Sequence, residues 1–477
     1  MEYVKSSLKI RDFWLNDRNY EIPWSYRVSI EYLRFLESGM LLLSPTLMIF
    51  PTQTDMGFVE RNTKIPCKLN ASSLLIEKGN IDHCDNHKLQ MSNVYIVSAK
   101  RTPIGKFGKS TVKLRAPELG AAAIKGILSD SGVSPERIEE VIMGNVIQAG
   151  VGQNPAGQAS TLAGLRDETT KYTVNVVCAS GMLAIESAYR EIKLGERDLI
   201  VAGGMESMSN SPMIIPPDFR WGPKQLLYKN MKIEDTMLKD GLMDAFYFEH
   251  MGVSAESTGK KYGITRQQAD EFSVRSQEFA SRATSTGEFS REIVTLEQIS
   301  KDEGIRKTSV DDLRKLQPAF DRNGILTAGN SSQLSDGASA VLVASEKAVK
   351  DYDLKPIAVI TGYESASLNS RDFVEAPIPA TRKLLERQGK NIGYYDLVEH
   401  NEAFSIASLV VQKELSIPDE RFNVNGGAIA IGHPLGNSGS RIVVTLINAL
   451  RARKLTTGLA TICHGGGGGH TMTLELV

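Results

Sequence analysis

Little in this 477-residue chain suits an extracellular or membrane protein. Its four cysteines are too few for a disulfide scaffold, which points to a reducing compartment and a cytoplasmic location. Neither sign of charge dominates: 55 Lys and Arg stand against 56 Asp and Glu, a net charge of −1. The basic excess expected of a nucleic-acid binder is therefore missing. Aromatic residues make up only 7% of the chain, and no apolar run reaches the roughly 18–20 residues that would span a bilayer. What is plentiful is glycine, with 41 residues that cluster. The length allows about two to four domains with ample core.

The first 90 residues differ from the rest. They hold Trp14, Trp24, Cys67 and Cys84 and show no sustained period of 2 or 3.6. Their apolar run Met40–Phe50 is interrupted by Ser44-Pro45-Thr46 and is too short for a membrane span. Eleven acidic residues argue against a transit peptide. His83-Cys84-Asp85-Asn86-His87 offers metal donors without a second half, so it reads as a solvated tail and no metal site is expected. The segment 1–90 reads as an extension outside the functional unit, which starts at Met91.

From Met91 onward, strand-like and helical runs alternate, the pattern of an α/β architecture. Val94–Ala99 reads as a buried first strand followed by a basic loop, Lys100–Gly105. Leu119–Asp130 and Glu186–Leu194 read as helices, Ile138–Val146 as a helix end entering a strand, and Asp198–Gly203 as a strand. A faint repeat suggests two related halves: Ser180-Gly181 opens a helix ahead of Gly203-Gly204, and Ser438-Gly439 opens another ahead of Gly465-Gly466. Between the halves, the stretch from Ser207 to Asn330, rich in Met, Lys and charge, reads as an inserted lobe.

Four segments carry chemistry. Thr173–Val177 reads as a buried strand that delivers Cys178 to a strand-to-helix turn, where helix N–H groups would lower its pKa. A buried core cysteine is the alternative. His433, between Gly432 and Pro434, is held in a turn and is a natural base for a thiol, or is incidental to that turn. Cys463-His464 followed by Gly465–Gly469 joins two strand-like runs, which argues against a flexible linker and for backbone N–H groups offered to an oxyanion. A phosphate loop would need the Walker lysine and a following helix. Glu399-His400-Asn401-Glu402 beside an apolar strand would be costly to bury without purpose, and unremarkable at a surface.

Together, Val177-Cys178-Ala179-Ser180-Gly181-Met182, Asn401-Glu402-Ala403-Phe404, Gly432–Gly439 and Cys463–Gly469 resemble, in order, the four signature runs of the thiolase family. The resemblance extends over Met91–Val477. It implies a thiolase-like α/β fold of two similar α/β/α halves in a layered core: 91–208 with 329–354, then 355–477, with an inserted coenzyme A-binding and oligomerisation loop domain at 209–328. It implies Cys178 as the nucleophile, His433 as its base, Cys463 as the acid/base at the second substrate's α-carbon, Asn401 as the holder of an oxyanion-hole water, and the N–H groups of Cys178 and Gly465 as a second oxyanion hole. Ser332 and Phe320 match coenzyme A contacts, although Gln333 stands where the family usually has glycine. Ala403 and Phe404 match further substrate or coenzyme A contacts, and His250-Met251 resembles the pair that narrows the acyl pocket of short-chain, acetoacetyl-forming members.

The implied activity is the reversible, ping-pong condensation of two acetyl-CoA into acetoacetyl-CoA and CoA. Coenzyme A thioesters are then substrates and no cofactor is needed. Phe373, in place of the usual Met-Gly-x-Gly pattern, leaves a longer-chain 3-ketoacyl-CoA thiolase as the alternative. A non-catalytic acyl-CoA binder is disfavoured because all four segments are intact, and a decarboxylating synthase because Cys463 is present. The family also implies a homo-oligomer, dimer or tetramer, assembled through a loop near Ser209–Leu227. A hydroxymethylglutaryl-CoA synthase is the expected downstream partner, with neither nucleic acid nor membrane as a partner.

Overall fold

A computed structural model describes residues 92–222, 224 and 232–477. The expectations for the 1–90 extension, its interrupted apolar run and the His83–His87 donors lie outside the described residues, as do Pro223 and Gln225–Leu227 of the oligomerisation loop.

The first half runs β1 (Val94–Arg101), α1 (Ala116–Ser131), β2 (Glu140–Gly144), α2 (Pro155–Ala163), β3 (Thr170–Val174), α3 (Ser180–Leu194) and β4 (Leu199–Ser207). Residues between β4 and the next sheet strand carry α4 (Met251–Tyr262) and α5 (Arg266–Ser285), followed by β5 (Ser335–Ser345). The second half runs β6 (Ala358–Ser367), α6 (Pro377–Gln388), β7 (Leu397–His400), α7 (Ser405–Glu414), α8 (Leu435–Arg453), β8 (Thr457–His464) and β9 (Gly468–Leu476).

The main sheet has the order β7-β8-β9-β6-β1-β5-β4-β2-β3, with the short strand Gly105–Lys106 pairing β5. Its two sides repeat one plan. In the first half β2 is parallel to β3 and β4, β4 is antiparallel to β5, and β5 to β1. In the second half β7 is parallel to β8, β8 is antiparallel to β9, and β9 to β6. A parallel bridge from Val398 to Phe422 takes the place that β3 holds beside β2. The halves meet along a short antiparallel seam, where Tyr95 faces Val359 and Ile96 faces Ala358.

Helix α8 is buried from Leu435 to Leu450 and is mostly apolar or small all round, with Asn437, Arg441 and Asn448 as the larger polar exceptions. It packs against α3, and the crossing explains the repeated Ser-Gly. A Cβ on Gly181 would lie 2.7 Å from the backbone nitrogen of Ser440, and one on Gly439 would lie 2.5 Å from that of Met182. Only bare backbone allows the two helix openings to approach this closely.

Three local expectations are corrected. Lys100 and Arg101 belong to β1 and not to a loop. Arg101 is fully buried because Glu292 (2.5 Å from Nε) and Asp302 (2.7 and 2.9 Å from Nη1 and Nη2) enclose its guanidinium. The strand expected at Thr173–Val177 ends at Val174 and is half-exposed, since β3 has a neighbour on one side only. Ahead of β2 stands a single 3₁₀ turn, Pro135–Arg137, because Pro135 sets its first residue and extended backbone resumes at Ile138.

Candidate active site

Beyond β3 the chain turns sharply to reach α3, and Cys178 is on that turn. Val177 adopts φ +51°, a conformation that a β-branched residue holds at a cost of about 1–3 kcal/mol. Its surroundings impose it. The Val177 N–H donates to Asn175 Oδ1 (2.9 Å), the Val176 N–H donates to Ser180 Oγ (2.9 Å), and Ser180 Oγ donates to the Val177 carbonyl (2.6 Å). Cys178 is thereby held 5% exposed, with its sulfur accepting the N–H groups of Gly465 and of Cys178 itself.

His433 comes from the equivalent place in the second half, just ahead of α8. Its Nε2 lies 3.3 Å from Cys178 Sγ. Its Nδ1 lies 2.5 Å from Ser438 Oγ, and Ser438 donates its own proton to the Pro434 carbonyl (2.8 Å). Ser438 must therefore accept from Nδ1–H, which leaves the Nε2 lone pair facing the thiol. The His433 N–H donates to the Gln333 carbonyl (2.9 Å), while Gln333 Nε2 donates to the carbonyls of Gly304, Ile429 and Ala430. The residue that departs from the glycine expected there thus ties the Gly304 loop and the helical turn Ala428–Ile431 to the histidine.

The expectation that helix N–H groups would make Cys178 a thiolate is corrected. Burial outweighs the two N–H groups and pushes the thiol up to about 12. Burial, with a smaller push from the Arg441 charge, holds His433 down at about 3. The resting pair is neutral at neutral pH.

Cys463 ends β8 one residue before its last, is buried, and is raised by burial and by the neighbouring Cys178 sulfur. Gly465 opens the β8–β9 turn, in which Gly466 and Gly467 take φ of +85° and +90°. His464 Nδ1 donates to the Gly465 carbonyl at 2.7 Å. Asn401 follows β7, fully buried, with Nδ2 3.4 Å from His433 Nε2. The whole Glu399–Glu402 cluster is buried, which excludes the surface alternative.

Substrate-side candidates share a cluster with Cys463. Met251, Ala403, Phe404 and Phe373 share one apolar cluster with it. Phe404 meets Phe320 and Phe373 edge-on, at 5.9 and 6.5 Å between centroids. His250 caps α4, with Nδ1 accepting the Gly252 N–H at 3.0 Å, and stacks on Phe320 at 4.7 Å. Met251 reaches the place where a Cβ of Gly465 would be, with its sulfur 3.5 Å away. Ser332 is located by its backbone, whose N–H donates to the Ala403 carbonyl at 3.1 Å. Sequence reasoning marks Ser438 only as part of the glycine repeat, without a role at the site, and does not single out Arg441. Both follow the Gly-His-Pro run, and an arginine within the apolar α8 pattern was the available signal.

Among the described residues no group of three or more His, Cys, Asp or Glu is placed to hold a metal, and no helix is long and apolar enough to cross a membrane.

Family models for the thiolase N-terminal and C-terminal domains match residues 94–347 and 354–476. An acetyl-CoA acetyltransferase of Chromobacterium violaceum is 46% identical over 395 residues, 80% of this chain and 99% of the relative. The crystal structure of the Bacillus anthracis acetyl-CoA acetyltransferase is similar with a TM-score of 0.78 at 38% identity, over 81% of this chain and 99% of that one. Acat5 thiolase from Ascaris suum, solved in complex with coenzyme A, gives 0.77 at 38% identity, over 81% and 100%.

Proposed function

The chain belongs to the thiolase family, and we propose that it condenses two acetyl-CoA into acetoacetyl-CoA and CoA through an acetyl group carried on Cys178. The enzyme is an acyltransferase, and its relatives carry the name acetyl-CoA acetyltransferase. The observation that carries the catalytic assignment is the His433 Nε2 lone pair 3.3 Å from the Cys178 thiol, with its tautomer set by Ser438.

In the first step Cys178 Sγ attacks the thioester carbonyl while its proton passes to His433 Nε2. The N–H groups of Cys178 and Gly465, which face the sulfur at rest, meet the oxygen as it becomes negative. The carbon–sulfur bond to coenzyme A breaks, and the leaving thiolate takes the proton of the Cys463 thiol, which leaves Cys463 as a thiolate and His433 protonated. In the second step the Cys463 thiolate removes an α-proton from another acetyl-CoA, which its nearness to Cys178 allows. Asn401 and His433 face the enolate oxygen. The new carbon–carbon bond expels Cys178 as its thiolate, which takes back the proton held on His433, while the α-proton restores the Cys463 thiol. Thiolysis is the reverse. Both sulfurs and the imidazole belong to the chain, so the reaction calls for no cofactor.

Met251, Phe373 and Phe404 crowd the apolar cluster that holds Cys463, which supports a short acyl group. Initial thiolysis rates for acetoacetyl-CoA and 3-ketohexadecanoyl-CoA test this. A preference of at least about tenfold for the shorter substrate is expected, and equal rates would favour the longer-chain alternative.

We also propose a homo-oligomer, a tetramer built through the loop after β4, on the strength of exposed Met213, Phe219, Trp221 and Ile233. Two buried free thiols that must stay reduced support a cytoplasmic setting. There a synthase of the hydroxymethylglutaryl-CoA type would consume the product.

A further inference from the structure

Asn401 is fully buried, and the two ends of its amide face different groups. One end lies 3.4 Å from His433 Nε2 and the other 3.5 Å from Arg441 Nη2. A guanidinium only donates, so the atom turned toward it must be the amide oxygen. The amide nitrogen is then turned toward the reacting imidazole and thiol. We infer that Arg441 is a positioning residue that acts through Asn401, holding the amide so that its N–H bonds are presented where the enolate oxygen becomes negative.

Arg441 is 1% exposed on α8, and an interior cation is costly unless something uses its charge. Its nearest carboxylate does not consume it. Glu399 Oε2 is 3.9 Å from Arg441 Nη1, and neither Glu399 oxygen nor Nη1 has a hydrogen-bond partner. Burial pushes Glu399 up to about 8, which favours its protonated form at neutral pH.

The other acids nearby are engaged elsewhere. Glu402 accepts from Ser276 (2.6 Å), Asn423 (2.9 Å) and the Ile429 N–H (3.1 Å), and Glu292 accepts from Arg101 (2.5 Å) and Thr445 (3.2 Å). The charge of Arg441 still reaches these acids, but the group its Nη2 is turned toward is the Asn401 oxygen, at 3.5 Å. The same charge also lowers His433, which keeps Nε2 neutral and ready to accept the thiol proton. At rest, Cys178 S–H and Asn401 N–H compete for that one lone pair. Once Nε2 is protonated, the Asn401 N–H is released toward the oxygen. A fixed dipole of this kind is strongest in a dry site.

The inference rests on the assignment of Asn401 to the reacting centre, and a double-mutant cycle separates the two. All variants carry Glu399→Gln, so that removing the cation leaves no buried lone carboxylate. In this background Arg441→Met is expected to lower kcat for condensation by about 30-fold with KM for acetyl-CoA within about twofold, because Arg441 does not touch substrate. In the Glu399→Gln, Asn401→Ala background the same substitution is expected to change kcat by less than about twofold. An equal loss in both backgrounds, or no loss in either, overturns the role of Arg441. Undiminished condensation by the Asn401→Ala enzyme overturns the assignment of Asn401 and the inference with it.

Discussion

Helices α3 and α8 occupy matching places in the two halves, yet their approaches differ. The approach to α3 is strained, with Val177 at φ +51° under the hold of Asn175 and Ser180, and it delivers a sulfur. The approach to α8 is tied by Ser438 and by the Gln333 carbonyl, and it delivers an imidazole of one tautomer. A repeated frame thus brings two unlike groups to one point. The symmetry supplies the meeting place, and the local hydrogen bonds supply the chemistry.

The largest expected effect comes from removing the group at the α8 opening. His433→Ala should slow acetylation of Cys178 by acetyl-CoA by about 10³-fold, the usual contribution of a positioned base, measured by single-turnover mass spectrometry. The crossing itself is tested by Gly439→Ala. Its Cβ would press on the Met182 backbone nitrogen, which cannot step aside, and overpacking of this kind costs about 1–3 kcal/mol. The urea midpoint should fall with kcat per folded molecule nearly kept. The smallest effect is with pH. His433 is neutral above about 3 and Cys178 keeps its proton below about 12, so the Cys178 acetylation rate should stay level between about pH 5.5 and 8.5. A tenfold rise per pH unit across that window would show that a preformed thiolate does the work.

Much of this was legible in the sequence because the four glycine-rich and polar runs are contiguous, and each holds the residue it presents. The alternation of strands and helices was visible for the same reason. What stayed hidden depends on distant partners. Arg101 looked like a loop residue because Glu292 and Asp302, which allow its burial, are about 190 to 200 positions away. Cys178 looked like a thiolate because a helix start is a local signal, whereas its desolvation is set by packing from both halves. The half-exposed β3 could not be told from a buried strand, because its β-branched pattern does not record how many neighbours the strand has.

The central claim is that Cys178 carries the acetyl group and Cys463 handles the α-proton. Mixing the Cys463→Ala enzyme with acetyl-CoA, then quenching and mapping the peptide that holds Cys178 by mass spectrometry, tests it most directly. The account predicts one acetyl group on Cys178 per active site and at least a 10³-fold loss of acetoacetyl-CoA formation, a loss on the order of that seen when a positioned acid/base is removed. An unmodified Cys178, or condensation at the unmutated rate, would contradict it.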